Sequence, residues 1–176
     1  MTEINTINEL IEALDNSSKK DRKEIVARLN LDKNDLEEFS TWNKGSYTRN
    51  CLARSAEYEI ILLCWDKQAA TPIHGHGGQD CWVYQIDGEV QEMRFRLENK
   101  NLKLTENLSL SDGDISYMTD EMGYHLIKNP NNERAMTLHI YAAPIDECEV
   151  FDHENNAFEI AQMEYDCVFE EEVVNA

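Results

Sequence analysis

The chain has 176 residues, the size of one ordinary domain with room for a buried core. Its 16 Lys and Arg face 35 Asp and Glu, a formal net charge of −19 that repels nucleic-acid phosphates and anionic membranes, so a small molecule is the expected ligand. At 41% hydrophobic residues it is too apolar for a disordered acidic segment.

Ile4, Ile7, Leu10, Ile11 and Leu14 recur at three- and four-residue steps, which predicts an amphipathic helix that Asn16-Ser17-Ser18 ends. Ile25, Val26 and Leu29 mark a second helix within Asp21–Leu29, and Asn34 is placed to cap a third over Asp35–Phe39. From about Tyr47 the pattern changes to strands. Glu59–Trp65 reads as a strand buried on both faces, and Cys81–Ile86 as another that ends in the hairpin turn pair Asp87-Gly88. Glu89–Leu97 continues through Glu98-Asn99-Lys100-Asn101 into Leu102-Lys103-Leu104. Ser111-Asp112-Gly113 and Asn129-Pro130-Asn131-Asn132 punctuate the later stretches, and Ala135–Ala142 is again strand-like.

Many short strands without alternating helices predict a mainly β antiparallel sandwich or barrel behind a helical cap. No repeat or linker marks a boundary. A single domain over 1–176 is therefore expected, with 1–40 as the cap, 41–170 as the barrel, and Glu170-Glu171-Glu172 as a solvated acidic tail. Cys51, Cys64, Cys81, Cys148 and Cys167 are odd in number, widely spaced and free of CxxC, so reduced thiols are expected rather than a disulfide framework or a zinc ribbon. The start of the chain has no basic, apolar leader and no stretch approaches the roughly 20 apolar residues of a membrane span, so the expected location is the cytoplasm.

Of five histidines, two form His74-Gly75-His76 ahead of Gly77-Gly78. Residues two apart on a strand share a face, so both rings can reach one ion; two solvated histidines in a glycine-rich loop fit the motif equally well. His125, in Gly123-Tyr124-His125, can close such a site from a distant strand. Three neutral imidazoles with open positions would make a catalytic metal site rather than a closed structural one.

His74-x-His76 with Gly88 downstream, followed by Gly123-x-His125-x-x-x-Asn129, resembles the two metal motifs of the cupin superfamily, whose fold is a small β-barrel or jelly roll. Cys81 stands where many cupins place a glutamate ligand. With Tyr47-Thr48-Arg49-Asn50, Cys64-Trp65, Thr137-Leu138-His139-Ile140-Tyr141, Cys148 and Phe151-Asp152, the stretch from Tyr47 to Asp152 resembles the cysteine dioxygenase family.

The resemblance implies mononuclear non-haem Fe(II) on His74, His76 and His125, O₂ as cosubstrate, and conversion of L-cysteine to cysteine sulfinic acid. Three neutral ligands leave the ion its full double charge, which favours a thiolate and accords with the absence of a glutamate. Cysteine would chelate through thiolate and amine. Arg49 would take its carboxylate in a bidentate fork, with Tyr47 adding a hydroxyl. The resemblance further implies that Tyr141 faces the iron, that a thioether can link it to Cys81, and that His139 bonds its hydroxyl. A monomer is expected, with no nucleic-acid or membrane partner.

Where the family usually shows Ser-Pro-Pro this chain has Ala142-Ala143-Pro144, so a trans turn is expected. Two other readings compete. A 3-mercaptopropionate or other small-thiol dioxygenase shares the three histidines and the His-Tyr pair, but usually has Gln in place of Arg49 and lacks the Cys81 thiol. A non-catalytic metal-binding cupin has no evident need of His139 and Tyr141. His153 is expected in a solvated loop, Cys51, Cys64, Cys148 and Cys167 in packing, and Trp65 in the pocket wall or the core.

Overall fold

A computed structural model describes residues 2–169 of the protein; the Glu170-Glu171-Glu172 segment lies outside the described residues. Helix α1, Ile7–Asp15, begins where the Thr6 hydroxyl accepts the Glu9 N–H, and it turns Ile7, Leu10 and Leu14 inward. The predicted second helix is shorter than Asp21–Leu29 and ends at Val26. A 3₁₀ turn, Lys19–Asp21, opens where the Asp21 carboxylate accepts from both the N–H and the hydroxyl of Ser18, and α2, Arg22–Val26, comes next. The third is a 3₁₀ helix, Lys33–Phe39, whose cap is Asp32 rather than Asn34. The Asp32 carboxylate accepts the Asn34 N–H at 2.9 Å, because a capping side chain must precede the free donors it satisfies.

The described residues then form eleven strands: β1 Tyr47–Arg54, β2 Glu59–Trp65, β3 Cys81–Asp87, β4 Val90–Glu98, β5 Asn101–Leu110, β6 Ile115–Met118, β7 Tyr124–Lys128, β8 Ala135–Tyr141, β9 Glu147–Asp152, β10 Ala157–Gln162 and β11 Cys167–Val168. They make a six-stranded sheet ordered β11-β1-β2-β8-β3-β6, a three-stranded sheet β5-β4-β7, and the hairpin β9-β10. Among the described residues these ladders do not join into a closed barrel; the result is a mainly β jelly roll with short N-terminal helices.

Strand β2 is buried along its whole length, as its apolar run predicts. Ile60, Leu62 and Cys64 pack with Leu10, Leu14 and Ile25 of the helices, while Ile61, Leu63 and Trp65 pack with Val90, Leu110 and Ile127 of the facing sheet. Both faces of the large sheet therefore bury apolar side chains. Among the described residues no helix is long and apolar enough to cross a membrane.

Asp87-Gly88 does turn the chain, but β3 and β4 do not form the predicted hairpin: β3 lies between β8 and β6, and β4 between β5 and β7. The chain changes sheets here. A register shift between Gln85 and Asp87 bends β3, and Gly88 adopts φ 76 where a Cβ would come within 3.0 Å of the Arg134 carbonyl oxygen. Turn chemistry announces a reversal without stating which strand the chain will pair with next. The β4–β5 connection, by contrast, is a hairpin, turning through Asn99 and Lys100 at φ 51 and 66, the primed-turn signature. All described peptide bonds are trans, the one into Pro144 included.

Gly123 has φ 110 and ψ −138, a conformation confined to glycine, and a Cβ there would collide with the Phe95 carbonyl. Gly123→Ala is expected to lower stability by more than about 2 kcal/mol, against about 1 kcal/mol for Gly113→Ala, whose positive φ is set in open space. Urea unfolding of the two variants measures the difference.

Candidate metal centre

His74 and His125 are cross-sheet partners. The His74 N–H donates to the His125 carbonyl at 2.9 Å and the His125 N–H to the His74 carbonyl at 3.0 Å, a two-way bridge that sets the rings side by side with centroids 4.6 Å apart. His76 comes from the same loop as His74, two residues on. Its N–H and that of Gly78 donate to the two oxygens of Asp120, each at 2.6 Å, which pins the glycine-rich loop. One ring nitrogen from each of the three histidines then lies within 4.8 Å of the others.

Their outward contacts orient the rings. His74 Nδ1 bonds the Pro72 carbonyl at 3.0 Å, and His125 Nδ1 bonds Glu92 Oε1 at 2.7 Å, so both rings turn Nε2 inward. His125 Nε2 and both nitrogens of His76 are buried with no hydrogen-bond partner. A dry, unpaired ring nitrogen is costly, and one nitrogen from each of three converging rings is the donor set a metal ion satisfies. Burial, reinforced by His125, holds the His74 imidazole down to about 3 and that of His76 well below its ordinary range, so both are neutral and able to ligate at pH 7.

Glu92 is fully buried on β4. Burial alone would raise its carboxyl, but His125, Ser116 and Arg94 bond it and hold it down to about 2. Sequence reading passed over both Glu92 and Asp120. Glu92 was discoverable: Val90, Glu92 and Arg94 alternate inward on β4, and an acid at an inward position needs a partner. Asp120, on a short 3₁₀ turn, carries no such signal.

Beside the histidines is a cavity of about 40 Å³ lined by Tyr47, Arg49, His139, Tyr141, Cys148 and Met163, among others. It brings together residues from β1, β8, β9 and the segment after β10. Tyr47 packs on Trp65 with ring centroids 5.2 Å apart, and Trp65 itself is core. Trp65 Nε1 donates to Thr137 Oγ1 at 2.8 Å, Thr137 Oγ1 lies 3.0 Å from His139 Nε2, and His139 Nδ1 lies 3.4 Å from the Tyr141 hydroxyl. Cys81 is directly opposite Tyr141 across β3 and β8, and its thiol bonds the phenol. Burial pushes both the Cys81 thiol and the Tyr141 phenol up. Of the residues anticipated for the site, Tyr47, Arg49, His74, His139 and Tyr141 line the cavity, His76 and His125 complete the histidine cluster, and Cys81 is buried opposite Tyr141 on the neighbouring strand. Cys148, expected only to pack, lines the cavity as well; His153 is exposed.

The cysteine dioxygenase type I family model matches residues 2–154. The chain belongs to the cysteine dioxygenase type I family. Cysteine dioxygenase type 1 of Bos taurus is 28% identical over 120 residues, which is 65% of this chain but 60% of the bovine protein. Cysteine dioxygenase type 1 of Danio rerio is 25% identical over 137 residues, 74% of this chain and 68% of the fish protein. The chain thus matches less than two thirds of the bovine relative's length. In fold it is similar to TT1209 of Thermus thermophilus, with a TM-score of 0.52 and 22% identity over 62% of this chain and 94% of that one. An uncharacterized Klebsiella pneumoniae protein with a double-stranded beta-helix domain gives 0.50 and 16%, covering 73% and 95%.

Replacing Glu92 with Gln keeps its shape and removes the charge behind His125. Metal affinity of Glu92→Gln is expected to fall by about 10–100-fold, as read by competition with a chromophoric chelator.

Proposed function

We propose that this protein is a thiol dioxygenase that uses Fe(II) and O₂ to convert L-cysteine to L-cysteine sulfinic acid, both oxygen atoms passing to sulfur. The observation that carries this reading is Arg49. In a chain where 35 acids outnumber 16 bases, no carboxylate among the described residues lies within 4.0 Å of its guanidinium, which sits in the cavity beside the three histidines. Its Nη1 has only the Met163 sulfur, at 3.1 Å, and its Nε is buried without a partner. A guanidinium left in this state is built for an incoming carboxylate.

His74, His76 and His125 would hold the iron. Fe(II), when bound, supplies positions where thiolate, amine and O₂ are kept within bonding distance. Arg49 takes the substrate carboxylate and Tyr47 offers its hydroxyl to the same group. The cavity beside the histidines is small, which favours a compact substrate of cysteine's class over a bulky one.

Because Trp65 donates to Thr137, the Thr137 hydroxyl proton is available to His139 Nε2. The neutral ring then carries its proton on Nδ1 and donates that N–H to the Tyr141 oxygen, which leaves the phenolic O–H to donate to the Cys81 sulfur or to a bound ligand. Burial holds the Tyr141 phenol up, so it stays protonated at neutral pH and acts as a donor. A thioether between Cys81 and Tyr141 would fix that ring at lower entropic cost, and their placement opposite one another on paired strands supports it.

Three outcomes test the reading. Oxygen uptake is expected to show a higher kcat/KM for L-cysteine than for 3-mercaptopropionate; the reverse order overturns the substrate assignment, and no sulfinic acid from iron-loaded protein, O₂ and cysteine overturns catalysis. Arg49→Ala should raise KM for cysteine about 10–100-fold while iron content holds, since it removes a charged bidentate contact and no ligand. Cys81→Ser should remove any doublet seen on a denaturing gel without loss of iron.

A further inference from the structure

One buried carboxylate has no part in that chemistry. Glu59, at the start of β2, is fully buried and sits in register with Tyr141, on the face of the sheet that carries the site. It interacts electrostatically with Arg49. Without its present donors, the buried carboxylate would turn toward the half-buried Arg49 guanidinium, because an interior anion is costly when unpartnered. In the structure it does not. Glu59 Oε1 accepts the Tyr165 hydroxyl and Arg54 Nη1, the latter at 3.3 Å, and Oε2 accepts the Ile145 N–H at 3.4 Å.

Arg54 reaches Glu59 through a β-bulge. Cys51 pairs with Ile61, but the register shifts before Ala53, so that Arg54 rather than Ala53 stands opposite Glu59. Tyr165 lies between the two arginines, its ring 5.8 Å from the Arg49 guanidinium carbon and 5.9 Å from that of Arg54. Asp166, next in sequence, is likewise spent on backbone: its Oδ2 accepts the Arg49 N–H at 2.8 Å and leaves the guanidinium alone.

We propose that Tyr165, assisted by Arg54, is a positioning residue that holds Glu59 away from Arg49 and so keeps the guanidinium available to the substrate carboxylate. This rests on Arg49 being the carboxylate-binding residue. Tyr165→Phe deletes one hydroxyl and keeps the ring; Glu59, freed on one side, then competes with substrate for Arg49.

Calorimetric titration of the iron-loaded protein with L-cysteine without O₂ tests this. Tyr165→Phe is expected to weaken binding about tenfold, Glu59→Gln alone to leave it unchanged, and Tyr165→Phe/Glu59→Gln to return it to the unsubstituted value, because Gln brings no charge to compete. Cysteamine, which lacks a carboxylate, should bind all four proteins alike. Unchanged binding in Tyr165→Phe, or a loss that Glu59→Gln does not reverse, overturns the proposal. Arg49→Ala separates the two failures: if it binds cysteine normally, the reading of Arg49 falls and the proposal with it, whereas if it binds weakly and Tyr165→Phe does not, the proposal falls alone.

Discussion

The two-way backbone bridge between His74 and His125 is the constraint on which the site depends. A hydrogen-bonded antiparallel pair holds its two residues about 5.5 Å apart at Cα with side chains on one face, so the spacing of two prospective ligands is set by main chain and needs no side-chain adjustment. The bridge also ties the loop before β3, which belongs to the six-stranded sheet, to β7 of the three-stranded sheet. On its far side His74 bridges Val150 of β9. Two separate ladders, β7 and β9, thus meet at one loop residue, and the third imidazole, His76, lies two residues further along the same loop.

Burial does two opposite things around that bridge. It keeps His74 and His76 neutral, the form that ligates, by penalising their protonation. It would also neutralise Glu92, yet the hydrogen bonds from His125, Ser116 and Arg94 outweigh it, leaving an anion behind the His125 ring. The acidity of the chain as a whole is therefore a surface property. Inside, Glu92 and Glu59 are each enclosed by donors.

The strands, the three histidines and the identity of the family were legible because they rest on local periodicity and on short motifs whose spacing survives folding. What could not be read was pairing. Asp87-Gly88 signals a reversal, but whether the next strand joins β3 or crosses to the opposite sheet depends on which apolar faces meet. Glu92 looked like one acid among 35 until β4 turned it inward. Tyr165 and Glu59 are 106 positions apart, and no local pattern links them. Asn34 has the chemistry of a good cap, yet Asp32 stands two residues ahead of the donor that needs filling and takes that place.

The N-terminal helices hold no chemically suggestive cluster, yet the site relies on them. Strand β8 points Met136, Leu138 and Ile140 at the helices, and Thr137, His139 and Tyr141 at the cavity side. Its side-chain period is two, so a slip of one residue would exchange these sets and bury the relay against α1 and α2. The apolar contacts of Leu10, Leu14 and Ile25 with that outer face oppose such a slip, since it would set a hydroxyl, an imidazole and a phenol against aliphatic side chains without partners. Holding β8 in register also fixes its neighbours: Cys81 on one side and Glu59 on the other both face Tyr141. The helices thus supply the packing energy that decides which face of the sheet becomes the site.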